Sequence, residues 1–252
     1  MRLFYLTLLF LTALLSGCDQ ASPLPSLSIT GRVQMRAQEW RTGQRRTLVL
    51  RFQDEGGYPC FNYGLVTDFE RHDKLLRLTF TGVTAADGIC LTAIGPASSL
   101  VDISTLPVGA YSLRLQVGNA TTTGTLELQS THITLTSSNP SLVEVPTPEL
   151  RFMPSSIIWG TAVTSLPNIT AAILGDSLRR LGATPTTLPQ GIYSQFTVAA
   201  NGLPEPPQVS PGMRALVLLA DYQGPAERIQ AYVQRTNAAM PGLNLGINTS
   251  AL

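Results

Sequence analysis

Between residues 29 and 136 polar and apolar side chains alternate with a period of two. A chain patterned this way is committed to strands that each bury one face. Arg32, Gln34, Arg36 and Gln38 line a wet face, while Val33, Met35 and Ala37 line a dry one. After the turn cluster Arg41-Thr42-Gly43-Gln44, Leu48, Leu50 and Phe52 resume the alternation. Further strands are expected over 75–82, 99–103, 110–117, 124–129 and 132–135, with Asn119–Thr123 as a hairpin loop. Short Thr-, Val-, Tyr- and Leu-rich strands separated by turn signals every ~8–12 residues read as a β-sandwich over 29–138.

A second regime follows. Pro140, Pro146 and Pro148 mark a linker over 139–150. Arg151–Gly160 ends in a strand, and Pro167-Asn168 caps a helix with Ile169, Ala172, Ile173, Leu178 and Leu181 along one stripe, ended by Gly182. Gly191–Ala199 alternates as a strand, and a Pro-rich loop from Leu203 to Pro211 leads to the apolar strand Arg214–Tyr222. Pro225 opens a last helix carrying Ile229, Tyr232 and Val233, and the tail from Pro241 to Leu252 reads as irregular. The expected class is mainly β plus α+β, with the sandwich followed by a small α/β sandwich of order β-α-β-β-α over 151–252.

The amino terminus carries a different signal. Met1-Arg2 precedes an apolar run from Leu3 to Leu15, too short for the ~20 residues of a spanning helix but matching a secretory leader. It ends in Leu15-Ser16-Gly17-Cys18, which resembles the lipobox of bacterial lipoproteins. The resemblance implies a signal peptide over 1–17, cleavage before Cys18, and a diacylglycerol on the Cys18 thiol. Two or three acyl chains, palmitate being the expected type, anchor stably where one is marginal. Removal of Arg2 with the leader leaves sixteen basic and sixteen acidic residues. Residues 18–28, with two prolines and three serines in Ala21–Ser28, form a lipidated tether.

Cys60 and Cys90 remain once Cys18 is acylated. In an exported chain an even pair is most simply a disulfide, worth roughly 3–4 kcal/mol for a loop of about 30 residues. Two free buried thiols are the alternative.

Leu106-Pro107-Val108-Gly109-Ala110-Tyr111 resembles an element common in bacterial immunoglobulin-like domains. With the cysteine pair, it is similar to a recurrent exported type of unsettled function. The resemblance covers about residues 45–130 and implies an immunoglobulin-like fold, not an activity. Trp40, Tyr58, Phe61 and Tyr63 offer either an aromatic binding patch or, more simply, packing residues. Arg32, Arg36, Arg41, Arg45 and Arg46 offer either an anion-binding face or solvated strand positions.

Gly175-Asp176-Ser177-Leu178 spells the nucleophile block of the GDSL lipases and esterases. That chemistry needs a histidine base, which the family places after the serine. Here His72 and His132 both precede Ser177, and the block falls inside an expected helix. His72 belongs to the charged turn Glu70–Lys74, and His132 to a strand. Neither stands in a cluster at metal-ligand spacing, so no catalytic residue, metal site or cofactor is assigned.

Only 13% of residues are charged, and seventeen Lys plus Arg stand against sixteen Asp plus Glu, which excludes a basic nucleic-acid binder. The expectation is a non-catalytic binding or structural module of the cell envelope. It is held by its N-terminal lipid to the cell membrane or outer membrane, facing the periplasm or exterior, with an envelope protein or a glycan as partner. The alternatives are an accessory subunit of an envelope complex and, remotely, an esterase using Ser177.

Overall fold

The computed structural model describes residues 27–42, 45–60, 62–85 and 93–249. Ten strands form one sheet: β1 (Val33–Thr42), β2 (Arg45–Asp54), β3 (Gly64–His72), β4 (Leu75–Thr84), β5 (Ser98–Asp102), β6 (Gly109–Val117), β7 (Ala120–Leu128), β8 (His132–Ser137), β9 (Val143–Glu144) and β10 (Glu149–Arg151). Their order is β10-β8-β7-β6-β4-β3-β5-β2-β1-β9. Pairs β4–β6, β3–β5 and β1–β9 are parallel, and the others antiparallel.

The sheet has to curl. Laid flat, ten strands at ~4.8 Å spacing would separate its edges by about 43 Å. The edge strands β9 and β10 are joined by only residues 145–148, a connection that reaches roughly 18 Å at most. The inward residues accordingly meet in one core. Met35, Leu50, Phe52, Leu78, Phe80, Leu113, Leu115, Leu126 and Ile133 are fully buried together, with the Phe52 and Phe80 rings 4.9 Å apart. β6 shows the period-two rule: Tyr111, Leu113, Leu115 and Val117 are buried while Ser112 and Arg114 face solvent.

Two expectations for this region are corrected. Residues 139–150 are not a free linker, because Val143 and Leu150 are buried in strands that close the sheet at both ends. Asn119–Thr123 is not a loop: β7 begins at Ala120, and its β-branched threonines pair with β6 and bond across to Ser138 and Thr136.

The second unit contains β11 (Ile157–Thr164), α1 (Ala171–Arg180), β12 (Thr184–Pro185), β13 (Gly191–Ile192), β14 (Thr197–Val198), β15 (Arg214–Asp221), α2 (Ala226–Ala239) and β16 (Leu243–Thr249). Four of its strands form an antiparallel sheet of order β12-β15-β11-β16. Leu174 and Leu178 of α1 and Ile229 of α2 pack on one face of it, against Ile158, Ala162, Leu218, Ala220 and Leu245. On the other face Ile157 and Leu219 meet Met153, Leu188, Tyr193 and Val198. Neither helix is long and apolar enough to cross a membrane.

The expected order β-α-β-β-α therefore lacks three strands: β12, β16 and one of the β13–β14 pair. Within the tail expected to be irregular, Leu243–Thr249 form β16, which pairs with β11 along its whole length; residues 250–252 lie outside the described residues. Gly191–Ala199 is not one strand but two, β13 and β14, joined through a turn at Ser194-Gln195. The cap of α1 is Thr170, whose hydroxyl accepts the Ile173 N–H, rather than Pro167-Asn168. Leu174 replaces the half-exposed Ile173 on the buried stripe. Gly182 does end the helix: at φ +95° it closes the last turn, with Gly182 N–H on Arg179 O and Ala183 N–H on Leu178 O.

One turn occurs twice. In Leu106–Tyr111 the Tyr111 hydroxyl donates to Pro107 O at 2.6 Å, and Gly109 has φ +151°. In Leu188-Pro189-Gln190-Gly191-Ile192-Tyr193 the Tyr193 hydroxyl donates to Pro189 O at 3.1 Å, and Gly191 has φ +147°. A cationic side chain lies where each glycine's Cβ would stand, Lys74 in the first turn and Arg151 in the second.

Candidate functional site

Val33, Met35 and Ala37 set an apolar register along β1, and Glu39 is the next residue in it. A carboxylate forced onto a dry face has to find donors. Glu39 is 3% exposed, and its Oε1 is met by Arg41 Nε and Arg46 Nε, each at 3.1 Å. Its Oε2 accepts the Met153 N–H at 2.8 Å. Arg41 Nη2 donates to Met153 O at 2.5 Å, so the ion pair holds both ends of one residue's main chain. Glu39 N–H in turn donates to Ser194 Oγ at 2.7 Å. These bonds join the large sheet to the β13–β14 turn.

A groove opens beside this junction. Its inner part, about 240 Å³, is lined by Glu39, Arg41, Met153, Trp159, Ser194, Gln195, Asn248 and Thr249. An outer part of about 530 Å³ shares Trp159, Gln195 and Asn248 and adds Phe196 and Pro204–Pro207. Together they reach the ~300–1,000 Å³ typical of small-molecule sites. Trp159 and Asn248 are direct partners across β11 and β16 and so project from the same sheet face. The Trp159 ring stands 5.7 Å from Phe196, which lies the same distance from Tyr193. Thr249 is 9% exposed, and its Oγ1 is buried without a hydrogen-bond partner.

The groove and the chain's entry lie toward opposite ends of the strands. Leu27 bridges Val83, whose partner Leu65 adjoins Gly64; Gly64 faces Ser98, Ser98 faces Gln53, and Gln53 faces Gln34. Glu39 is five residues beyond Gln34 on β1, about 17 Å along the strand.

The residues singled out in the sequence scatter. Cys18, Phe61 and Cys90 lie outside the described residues. Cys60 is half-buried in the bend between β2 and β3, where Tyr58 and Gly95 exchange both main-chain hydrogen bonds at 2.9 and 3.1 Å. Tyr58 and Tyr63 are packing residues, stacked at 5.0 Å, while Trp40 is 44% exposed and apart from them. The Tyr58 hydroxyl donates to Asp54 at 2.5 Å. Burial, then that bond and the Asp54 charge, push the Tyr58 pKa up to about 12.

The arginines make no common anion face. Arg32 pairs with Glu55 and Glu144, Arg36 bonds Gln34, and Arg41 and Arg46 converge on Glu39. Ser177 sits on α1 with its hydroxyl on Ile173 O at 3.1 Å, and Asp176 pairs with Arg179. His72 lies 3.4 Å from Glu70 at the β3–β4 turn, and His132 opens β8 beside Thr131. Both belong to the large sheet, whereas Ser177 belongs to the second unit. Among the described residues no three His, Cys, Asp or Glu side chains group as metal ligands.

Glu39 was missed, though its signal was present: a lone carboxylate in phase with Val33, Met35 and Ala37. The groove's other residues come from three distant segments and carry no local motif. No family model, curated protein or solved structure matches the chain.

Proposed function

We propose that the protein is a lipid-anchored module of the cell envelope that works by binding, its curled sheet an immunoglobulin-like sandwich and its second unit a small α/β domain. One observation carries the binding role. Trp159, two amides and the Ser194 hydroxyl converge on a groove whose charged wall, Glu39 and Arg41, is already internally bonded. Such a surface is suited to hold a ligand by stacking and hydrogen bonds.

The anchor rests on Leu15-Ser16-Gly17-Cys18 behind a short apolar run. Leu27 enters the fold some 17 Å of strand away from Glu39, an arrangement suited to presenting the groove away from the bilayer. A Cys60–Cys90 disulfide is part of the proposal. It is supported by the Tyr58–Gly95 bridge, which in sequence lies two residues from Cys60 and five from Cys90.

The test is the intact mass of the chain expressed in a bacterium, beside Cys18→Ala, with and without reductant. The expected result is loss of residues 1–17 and an acyl-sized increment that vanishes in the variant, with a gain of two hydrogens on reduction. An uncleaved, unmodified chain would overturn the anchor.

A further inference from the structure

We infer that the groove beside Trp159 is a saccharide-binding site, with one pyranose ring stacked on the indole and its hydroxyls held by Asn248, Gln195 and Ser194. The inference rests on the reading that this groove captures a ligand, and it names the ligand's chemical class.

Two observations carry it. First, Trp159 lines both parts of the groove while Phe196 and Tyr193 continue the aromatic array behind it. A sugar's apolar face presents a row of C–H bonds with partial positive charge, which suits the negative face of an indole. Second, the polar lining is made of amides and hydroxyls, groups that donate and accept as sugar hydroxyls do. Among the described residues Gln195 and Asn248 make no side-chain hydrogen bond, and Ser194 Oγ, which accepts from Glu39 N–H, keeps its own proton to donate.

An anionic ligand is disfavoured by the same wall. The guanidinium of Arg41 is engaged with Glu39 Oε1 and Met153 O, so the groove offers no uncommitted counter-charge for a phosphate. A purely apolar ligand would leave the amides unsatisfied.

The experiment uses the full chain in detergent micelles with Trp40→Phe, which leaves Trp159 as the only tryptophan. Emission is followed against di- and tetrasaccharides of plain hexoses and of N-acetylated hexosamines. The expected result is a saturable change with at least one of them. Gln195→Ala removes one of the two amides that line both parts of the groove. It is expected to weaken binding by roughly tenfold while leaving the thermal midpoint unchanged. Asn248→Ala is expected to weaken binding by a similar factor. No saturable response to any sugar up to about 10 mM, well past the range of weak single-site binding, overturns the inference. So does a response that both variants leave intact. Acylation of Cys18 is read by mass on the same preparation. An acylated chain that ignores every sugar overturns the saccharide and leaves the anchored module standing, and a responding chain with a bare Cys18 does the reverse.

Discussion

Glu39 Oε2 and Met153 N–H meet at 2.8 Å across 114 residues of sequence, and this bond is half of a two-point clasp completed by Arg41 on Met153 O. The clasp fixes the wall of the groove. It also ties the large sheet to the segment leading into β11.

Glu39→Ala should therefore act on more than one bond. It leaves the Met153 N–H without its acceptor and two guanidinium groups without their shared carboxylate. Removing one partner of a buried ion pair destabilises by about 3–5 kcal/mol. Chemical denaturation should show that loss, and limited proteolysis should show faster cutting in the exposed Pro154-Ser155 region. Wild-type stability would show that the clasp contributes nothing net.

The twin turns make a paired prediction. Tyr111→Phe and Tyr193→Phe each remove one hydroxyl bond to a proline carbonyl and should destabilise by about 1 kcal/mol. Gly109→Ala and Gly191→Ala place a side chain at φ +151° and +147° and should each lose about 1–3 kcal/mol. Gly191→Ala should be the worse of the two. Its Cβ would press on Arg151 Nε and Cδ, whereas at Gly109 only the far end of Lys74 has to move. Equilibrium unfolding of the four variants checks both the sizes and the order.

Legibility in the sequence followed the range of the interactions. Strands such as β6 were readable because Tyr111, Leu113, Leu115 and Val117 report their burial through local alternation. The closing strands were not readable: Val143 and Leu150 sit in two- and three-residue strands whose partners, Val33 and Ile133, come from other segments. β16 was lost for a related reason. Leu243 and Leu245 alternate with Asn244 and Gly246, but Pro241 and Gly242 just before them read as chain-breaking. The groove was the least legible part, because Glu39, Trp159, Ser194 and Asn248 become neighbours only through packing.

Alkaline stability should depend on Tyr58. Its folded pKa of about 12 lies above the usual value near 10, first because the ring is buried and then because Asp54 accepts its hydroxyl proton. A raised folded pKa means that the unfolded chain ionises first. The stabilisation is intact below pH ~10 and is lost progressively between pH ~10 and ~12, by up to about 2–3 kcal/mol. Tyr58→Phe should flatten that part of the stability–pH curve while lowering stability at pH ~7, where the Asp54 bond is lost. Denaturation midpoints measured from pH ~8 to ~11.5 test this, and parallel curves for the two proteins would refute it.

β16 is an edge strand, and Asn237 of α2 covers part of it. Its amide donates to Leu245 O at 2.9 Å and accepts the Leu245 N–H at 2.8 Å, as a neighbouring strand would. An uncovered edge is a template for pairing with another chain. Asn237→Ala should lose about 1–2 kcal/mol for two hydrogen bonds and promote self-association through β16. Asn237→Asp separates the two effects: its carboxylate still accepts the Leu245 N–H but cannot donate to the carbonyl, and its charge discourages a second copy from docking. Size-exclusion chromatography with light scattering should find Asn237→Ala associating in a concentration-dependent way and Asn237→Asp monomeric, both less stable than the parent. Equal association of the two variants, or none in either, would remove edge protection as the role of Asn237 and leave it a tie between α2 and β16.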